Sequence, residues 1–286
     1  MEYISIEAKR VLRKSKGPSR IHCGYHISPY RGCEYGCIYC PGHFLGDSHD
    51  KVWVNINAPL LLKKELRNGR KDVICIVGYQ PAEKIYRVIQ KILNVIHTKH
   101  FPVHIMTRSD MVLDDMEILE KISSESWCSV SFFIPTMDNK IANIFEPNAP
   151  TPLERMEALD KVRQAGISAG VIISPVIPYI TDSEIQMKKI IDEALKRKAN
   201  YVISEILNLN DDYRQMMVHT IKKHYPKLLM KYKQLYELGP QPDIRYTRRT
   251  LRKINKLLED QKIPNSLPQY DEGIERKQVN LEKFFK

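Results

Sequence analysis

Two patterns in the sequence predict an α/β fold with a parallel central sheet. Apolar runs of strand length alternate with longer segments in which apolar residues recur at helical spacing, from about residue 25 to residue 206. Strands that alternate with helices build a parallel sheet through right-handed crossovers. Six such units fit a partial (β/α)6 barrel that resembles an incomplete TIM barrel, and a helical C-terminal extension follows it.

Each predicted strand is an apolar run bounded by turn residues. The expected strands are a short extended stretch at Tyr25–Tyr30, then Asp72–Val77, Pro102–Thr107, Cys128–Ile134, Ile167–Ser174 and Tyr201–Ile206. The expected helices, each with an apolar face, are Ala58–Arg67, Glu83–Ile96, Val112–Ser123, Thr151–Ala165 and Ser183–Arg197. Pro59 at a first helical position and Gly166 after a last one are typical helix boundaries.

The predicted domain organisation has three parts. Residues 1–20 form a basic N-terminal arm, residues 21–210 the partial barrel, and residues 211–286 a helical extension that covers the barrel mouth. Within the extension, the Gly-Pro-Gln-Pro stretch at 239–242 separates two helical regions, and the tail from Pro264 is expected to be loosely ordered.

Composition bounds the class of protein. The chain has 286 residues, of which 43% are hydrophobic and 28% charged, as in a soluble globular protein with an adequate core. It contains no apolar run long enough to cross a membrane, and residues 1–20 have no apolar signal core, so we expect a cytoplasmic protein. Three of the six cysteines are clustered and three are scattered, which fits a reducing compartment better than a disulfide framework.

The formal net charge of +11 is unevenly distributed. Between Arg214 and Lys262, thirteen Lys or Arg residues stand against four acidic residues. Tyrosines are interleaved with these cations, at Tyr225, Tyr232, Tyr236 and Tyr246. Such a segment could follow a phosphate backbone while its rings stack on bases, which makes nucleic acid an expected partner. The alternative is a solvated helical surface without a nucleic-acid partner, and charge alone does not decide between them.

The segment from Cys33 to Cys40 carries the chemistry. Its three cysteines have the spacing C-x3-C-x2-C, and the aromatic Tyr39 directly precedes the last. Three thiolates satisfy three irons of a cubane iron–sulfur cluster and leave the fourth iron open for another ligand. Gly32 and Gly36 permit the backbone angles that aim three side chains at one point. A structural zinc site would need a fourth ligand, and no second C-x2-C occurs in the chain.

This motif resembles the radical S-adenosylmethionine (SAM) superfamily. The resemblance implies a [4Fe–4S] cluster held by Cys33, Cys37 and Cys40, with SAM bound at the open iron through its amino and carboxylate groups. One electron then cleaves SAM to methionine and a 5′-deoxyadenosyl radical, so an electron donor such as a flavodoxin or ferredoxin is an implied partner. The implied fold is the partial (β/α)6 barrel of the radical SAM type.

The flanks are similar to the spore photoproduct lyase-like group, also described as DNA repair photolyase-like. Residues 28–40, SPYRGCEYGCIYC, resemble that group's NPYRGCxHGCxYC. Four more stretches resemble its motifs in the same order along the chain: YQPAE at 79–83, TRS at 107–109, EPNAPTPLER at 146–155 and SPVIP at 174–178. This collinearity covers roughly residues 5 to 210 and is more specific than the cysteine motif alone.

The resemblance implies several residues that contact SAM. Tyr39 would pack against the adenine or shield the cluster, and Arg108 stands where the group has a lysine that meets the SAM carboxylate. A guanidinium binds a carboxylate bidentately, so the charge is kept; the alternative is a surface ion pair with Asp110 or Asp114. Ser131 matches a serine near SAM, or is a buried hydroxyl bonded to the backbone.

Three further candidates are less direct. Where the group has a Thr-Asp pair this chain has Ile76 and Val77, so at this point only backbone groups near Gly78 are expected to contact SAM. Arg155 is a candidate cofactor residue, although an ion pair with Glu146 across the barrel mouth is the favoured interpretation. Cys75 falls where spore photoproduct lyase has a hydrogen-donating cysteine; in this apolar strand a small buried hydrophobe is the favoured interpretation.

The sequence therefore predicts a radical SAM enzyme that abstracts hydrogen from its substrate, with lyase-like repair of nucleic acid as the sharpest version. One alternative is a radical SAM reaction on a peptide, tRNA or small molecule. An alternative from another class is a zinc-stabilised nucleic-acid-binding module, its knuckle completed by Cys23, His26 or His43.

Overall fold

The computed structural model of the chain describes residues 1–15, 21–40, 42, 50–67 and 69–271. The strands are β1 (Glu2–Ile6), β2 (Arg13–Lys14), β3 (Tyr25–Ile27), β4 (Tyr30–Arg31), β5 (Lys51–Asn55), β6 (Ile74–Val77), β7 (Val103–Thr107), β8 (Cys128–Phe133), β9 (Ser168–Val176) and β10 (Val202–Ile206). The α-helices are α1 (Ala58–Glu65), α2 (Glu83–Tyr86), α3 (Val88–Thr98), α4 (Met116–Glu125), α5 (Asn139–Phe145), α6 (Pro152–Gln164), α7 (Glu184–Lys196), α8 (Asp211–His224), α9 (Leu229–Leu235) and α10 (Ile244–Asp260).

The main sheet confirms the predicted α/β fold. Its strand order is β10-β9-β8-β7-β6-β3-β2, and every pair from β3 to β10 is parallel. Only β2 runs antiparallel, on β3 at one edge. Within the described residues β10 and β2 do not pair, so the sheet is a partial barrel with six parallel strands.

Several helix ends shift by a few residues, the largest shift being at α4, which begins at Met116 rather than at Val112. Two differences go beyond such shifts. The single helix expected over residues 83–96 is divided at Arg87, which has a left-handed backbone with φ of 49°. The division arises because the buried Glu83 carboxylate accepts hydrogen bonds from the backbone amides of Ile89 and Gln90. Glu83, which belongs to α2, thereby caps the N-terminus of α3. Helix α5 was not predicted; the Asp138 side chain caps its first turn.

The expected N-terminal arm is ordered as strands over its described part. β1 runs parallel to β5, and β4 pairs antiparallel with β5, in a separate three-stranded sheet. Residues 16–20 of the arm lie outside the described residues.

Two faces of the main sheet bury apolar side chains. Alternate residues of β6 point to opposite faces, so Ile74 and Ile76 pack under the helices while Cys75 points into the concave side, here called the lumen. A third apolar cluster lies over the C-terminal ends of the parallel strands, here called the mouth. It joins the cysteine loop to the segment that follows β10.

The C-terminal extension corrects two expectations. Tyr232, Tyr236 and Tyr246 are buried in the mouth cluster, so they do not form the exposed base-stacking surface that the sequence suggested. The tail from Pro264 is ordered as far as it is described: Leu267 is buried in the lumen, and the Val202 amide donates to the Pro264 carbonyl oxygen. Residues 272–286 lie outside the described residues. Among the described helices, none combines the length and apolarity that a membrane crossing requires.

Candidate active site

A cavity of about 310 Å³ opens at the mouth of the partial barrel. The ends of three strands line it, through Val77, Met106 and Phe133. The cysteine loop supplies another wall. The cysteine loop, the stretch after β6 and the stretch after β7 thus meet at the C-terminal ends of parallel strands, where folds of this kind carry their chemistry.

The cysteine loop is held in place by the stretch that follows β6. Gln80 accepts the Glu34 amide through its side-chain oxygen at 3.1 Å and donates to the Gly32 carbonyl oxygen at 3.2 Å. The Glu34 carboxylate in turn accepts the Ala82 amide at 2.7 Å. Gly32 and Gly36 both have positive φ, at 80° and 62°, as expected from their place in the motif.

Cys33, Cys37 and Cys40 all line the cavity. Burial raises the pKa of Cys33 to about 12 and that of Cys37 well above its ordinary value. Buried thiolates need a cation beside them, and three cysteines that face one cavity of this size fit an iron–sulfur cluster.

Arg108 provides positive charge at this wall. Its Nε donates to Oε1 of Glu146 at 3.1 Å, and its guanidinium lies 4.4 Å from the Phe133 ring centroid and 5.5 Å from that of Tyr39. The residue lines the cavity and its side chain is 15% exposed. The surface ion pair with Asp110 or Asp114 is therefore not formed; the partner is the buried Glu146.

Glu146 organises the wall behind the cysteine loop. It is completely buried and forms ion pairs with Arg108 and with Arg155, whose Nη2 lies 2.7 Å from Oε2. Tyr39 donates its hydroxyl to the same carboxylate. Burial raises the pKa of Glu146, but the two arginines outweigh it and hold the pKa below its ordinary value. The predicted Arg155–Glu146 ion pair is confirmed.

A family model of the radical SAM superfamily matches residues 27–191, more than half of the chain. The chain belongs to the radical SAM superfamily. Its cofactors are accordingly a [4Fe–4S] cluster and SAM. The match covers the cysteine loop and the strands β6, β7 and β8, whose ends line the cavity.

Curated proteins and solved structures similar to this radical SAM protein are known. It is 31% identical over 234 residues to the uncharacterised protein MJ0683 of Methanocaldococcus jannaschii, covering 79% of this chain and 85% of that protein. It is 26% identical over 247 residues to the uncharacterised protein Rv2578c of Mycobacterium tuberculosis, covering 81% and 73%. Among solved structures, it is similar to a spore photoproduct lyase mutant with bound AdoMet and dinucleoside spore photoproduct, with TM-score 0.68, 16% identity and coverage of 90% and 78%. At that identity the structural likeness shows the fold.

The other predicted SAM contacts lie at different depths in this radical SAM barrel. Gly78 lines the cavity, beside Tyr79 and Gln80. Tyr39 is buried behind the cavity wall and is not part of its lining. Arg155 is also buried behind the wall, where it donates to the Pro150 and Phe133 carbonyl oxygens at 2.8 and 2.9 Å. The adenine contact of Tyr39 and a cofactor contact of Arg155 stay predictions.

Ser131 and Cys75 lie deeper, in the lumen, and neither lines the cavity. Ser131 Oγ is 2.8 Å from Nε2 of His104 and 2.8 Å from the Tyr201 hydroxyl, so it is a buried hydroxyl bonded to side chains. Cys75 lies two residues below Val77 on β6 and is joined to Cys23 as a disulfide. Hydrogen donation by Cys75 would require a reduced thiol that reaches the cavity past Val77, and the role stays a prediction.

Sequence reasoning missed two residues at the mouth. Gln80 lies inside a quoted motif, but only the structure shows that it bonds the cysteine loop at two points. Tyr179 follows β9 and is 37% exposed, with a left-handed backbone at φ of 62°. A non-glycine residue in that conformation costs free energy and often marks a functional position. A loop at the mouth is expected after β9, but the sequence does not indicate that Tyr179 is exposed in that loop.

Proposed function

We propose that this radical SAM protein cleaves SAM reductively and abstracts a hydrogen atom from a nucleic-acid substrate, in a lyase-like reaction similar to that of spore photoproduct lyase. The observation that carries the proposal is that one cavity at the mouth is lined by Cys33, Cys37, Cys40 and Arg108 together. When bound, the cluster supplies the electron that cleaves SAM to methionine and the 5′-deoxyadenosyl radical.

The side chains around the cavity have separate tasks in this proposal. The three cysteines hold the cluster, and the loop that carries them is fixed by Gln80. Arg108 donates through Nε to Glu146 and through Nη2 to the Ser174 carbonyl oxygen at 3.5 Å, and its other N–H groups can donate to the SAM carboxylate. Val77, Met106 and Phe133 form an apolar lining that excludes water from a radical.

Nucleic acid is favoured as the substrate class by charge and aromatic exposure at the mouth. The Tyr179 ring is flanked by Tyr232 and Tyr246, with centroids at 6.2 and 5.4 Å, and Lys231 Nζ lies 5.5 Å from its centroid. Arg249 lies 5.9 Å from the neighbouring Tyr246 ring. A half-exposed ring between cations is suited to stack a base while the cations meet phosphates.

Positive charge continues along the nearby helix α10. Its sequence carries Arg245, Arg248, Arg249, Arg252, Lys253 and Lys256. The helix packs through Tyr246, Thr250, Ile254 and Leu258. This surface would follow a phosphate backbone, and it would also attract an acidic electron donor such as a flavodoxin or ferredoxin.

The test begins with anaerobic reconstitution of the cluster and dithionite-driven cleavage of SAM, measured as 5′-deoxyadenosine. Cleavage that Cys37→Ala abolishes, and that UV-irradiated DNA stimulates above unirradiated DNA, supports the full proposal. Cleavage that no DNA stimulates contradicts DNA as the substrate and leaves a peptide, tRNA or small molecule. A protein that binds zinc through the loop cysteines and cleaves no SAM contradicts the enzyme and leaves the zinc-stabilised binding module.

A further inference from the structure

A second group of metal-ligating side chains lies in the lumen, away from the mouth cavity. Cys23, Cys75 and His104, here called the lumen cluster, place their ligand atoms within 4.8 Å of one another. Cys75 and His104 are completely buried and Cys23 is 9% exposed. Among the described residues this is the one group of three or more such side chains that converges so closely.

The two sulfur–nitrogen distances in the lumen cluster fit a metal site, and reduction of the Cys23–Cys75 disulfide would free both sulfurs to bind an ion. Sγ of Cys75 lies 3.5 Å and Sγ of Cys23 lies 3.8 Å from Nδ1 of His104. A tetrahedral zinc ion, with Zn–S of about 2.3 Å and Zn–N of about 2.0–2.1 Å, keeps sulfur and nitrogen ligands about 3.6 Å apart. The two Cα atoms of the cysteines are 5.9 Å apart, so both sulfurs can reach a common point.

The imidazole of His104 is oriented by a hydrogen-bond chain on its far side. Nε2 of His104 can donate to Ser131, Ser131 to the Tyr201 hydroxyl, and Tyr201 to Ser129, at 2.8, 2.8 and 2.9 Å. This direction of donation leaves the Nδ1 lone pair pointing at the two sulfurs. Metal-binding histidines are oriented in this way by a partner on the other ring nitrogen.

With the ring hydrogen on Nε2, a disulfide leaves the Nδ1 lone pair without a good partner. Neither sulfur of the Cys23–Cys75 disulfide carries a hydrogen, so neither can donate to Nδ1 of His104. The imidazole is completely buried, so solvent does not supply that donor. A buried acceptor without a donor is costly, and a cation at this point would satisfy it.

We propose that the reduced lumen cluster is a structural binding site for a borderline-soft divalent cation such as Zn²⁺. A dithiol or phosphine reductant supplies two electrons, and with two protons the disulfide becomes two thiols. Zn²⁺ then displaces both thiol protons to solvent and forms two Zn–S bonds and one Zn–N bond. The sheet register pairs His26 with Cys75, so the exposed His26 side chain lies on the same face of the sheet. His26 is outside the converging group, and its imidazole would have to turn toward the group to become the fourth ligand.

The proposed ion would join three separate parts of the barrel. Cys23 precedes β3, Cys75 lies on β6 and His104 lies on β7. Leu267, from the C-terminal tail, packs in the same apolar cluster as the two cysteines. The ion would thus fix the lumen below the mouth, and its binding does not depend on the proposed substrate or on SAM cleavage.

The test uses the full chain with its cluster already reconstituted, so that the mouth cysteines are occupied by iron. The protein is reduced with a phosphine, incubated with Zn²⁺ and desalted, and its metals are counted. We expect one tightly bound zinc beside the cluster iron, with zinc X-ray absorption showing two sulfurs at about 2.3 Å and one or two imidazole nitrogens at about 2.0–2.1 Å. Cys75→Ser and His104→Ala should lose this zinc while keeping their iron.

Cys128→Ser is the matched control, because Cys128 is buried on β8 outside both cysteine groups, and it should keep the zinc. His26→Ala should weaken zinc retention if His26 is the fourth ligand. The wild-type result decides the proposal even if a variant fails to fold. Wild-type protein that retains no zinc after reduction, or whose zinc shows only oxygen and nitrogen neighbours, would overturn it.

Discussion

The mouth and the lumen both gather cysteines, but they do so in different ways. The mouth cysteines come from one short loop and line one cavity together with the cation of Arg108. The lumen cysteines come from distant parts of the chain, 52 residues apart, and converge with a neutral imidazole. A loop motif can therefore present sulfurs to a large cofactor, whereas sheet register brings them within reach of one ion.

The largest expected effect is that of a substitution at a mouth cysteine, which should abolish activity. Cys37→Ala removes one iron ligand at the mouth, so we expect loss of the [4Fe–4S] absorbance and of all SAM cleavage. Cys128→Ala, at a buried cysteine outside both groups, should keep both signals. Residual 5′-deoxyadenosine formation in Cys37→Ala would contradict the assignment of the loop.

Glu146→Gln should give the next largest effect, a loss of stability. The substitution removes the carboxylate charge that pairs with the buried Arg108 and Arg155. Loss of one partner of a buried ion pair costs about 3–5 kcal/mol, measured as the free energy of unfolding in urea. Glu157→Gln, on the exposed face of α6, is the matched control and should change stability by less than about 0.5 kcal/mol.

The same pair of proteins gives a pH prediction. The pKa of Glu146 is lowered in the folded state, so its stabilisation is complete above the unfolded value of about 4.3 and is lost as the pH falls toward the folded value. The stability difference between wild type and Glu146→Gln should therefore be constant from pH 8 to about pH 5 and shrink in more acidic solution. A difference that grows on acidification would show that Glu146 is not ionised.

Ser131→Ala distinguishes a SAM contact from a lumen hydrogen bond. If Ser131 only joins His104 to Tyr201, the variant should lose about 2 kcal/mol of stability, because buried polar groups lose their partner. Its KM for SAM should stay at the wild-type value. An increased KM with unchanged stability would instead place the hydroxyl at the cofactor. Ser123→Ala, on α4, controls for the change of residue type.

The smallest expected effect concerns the mouth surface. Tyr179→Ala should weaken binding of single-stranded DNA by about 1 kcal/mol, the lower end of the range for base stacking, because the ring is partly covered by its neighbours. Fluorescence anisotropy at fixed salt measures it. Tyr179→Phe keeps the ring and should bind as wild type does; equal weakening by both variants would argue against stacking.

Much of the fold followed from local pattern, and the exceptions have physical causes. Each expected strand of the barrel is present. A strand of a parallel sheet is buried on both faces, so a short continuous apolar run between turns is typical of it. The split between α2 and α3 could not be predicted, since it depends on a buried Glu83 that caps the second helix. The expected exposure of Tyr232, Tyr236 and Tyr246 was wrong. The segment that carries them is rich in charged residues, but these three rings pack in one apolar cluster with the cysteine loop.

The sequence alone indicated the mouth chemistry, because three cysteines and two glycines lie within one short loop, although only the structure shows that Gln80 holds this loop in place. Loops that follow parallel strands meet at one edge of the sheet, so a predicted parallel sheet also implies the end at which they lie. Only the tertiary structure decided the lumen cluster. The pairing of β6 with β7 sets Cys75 opposite His104, and β3 brings Cys23 beside them, although no local motif joins the three. Register is a property of packed strands, so it becomes visible only once the sheet is assembled.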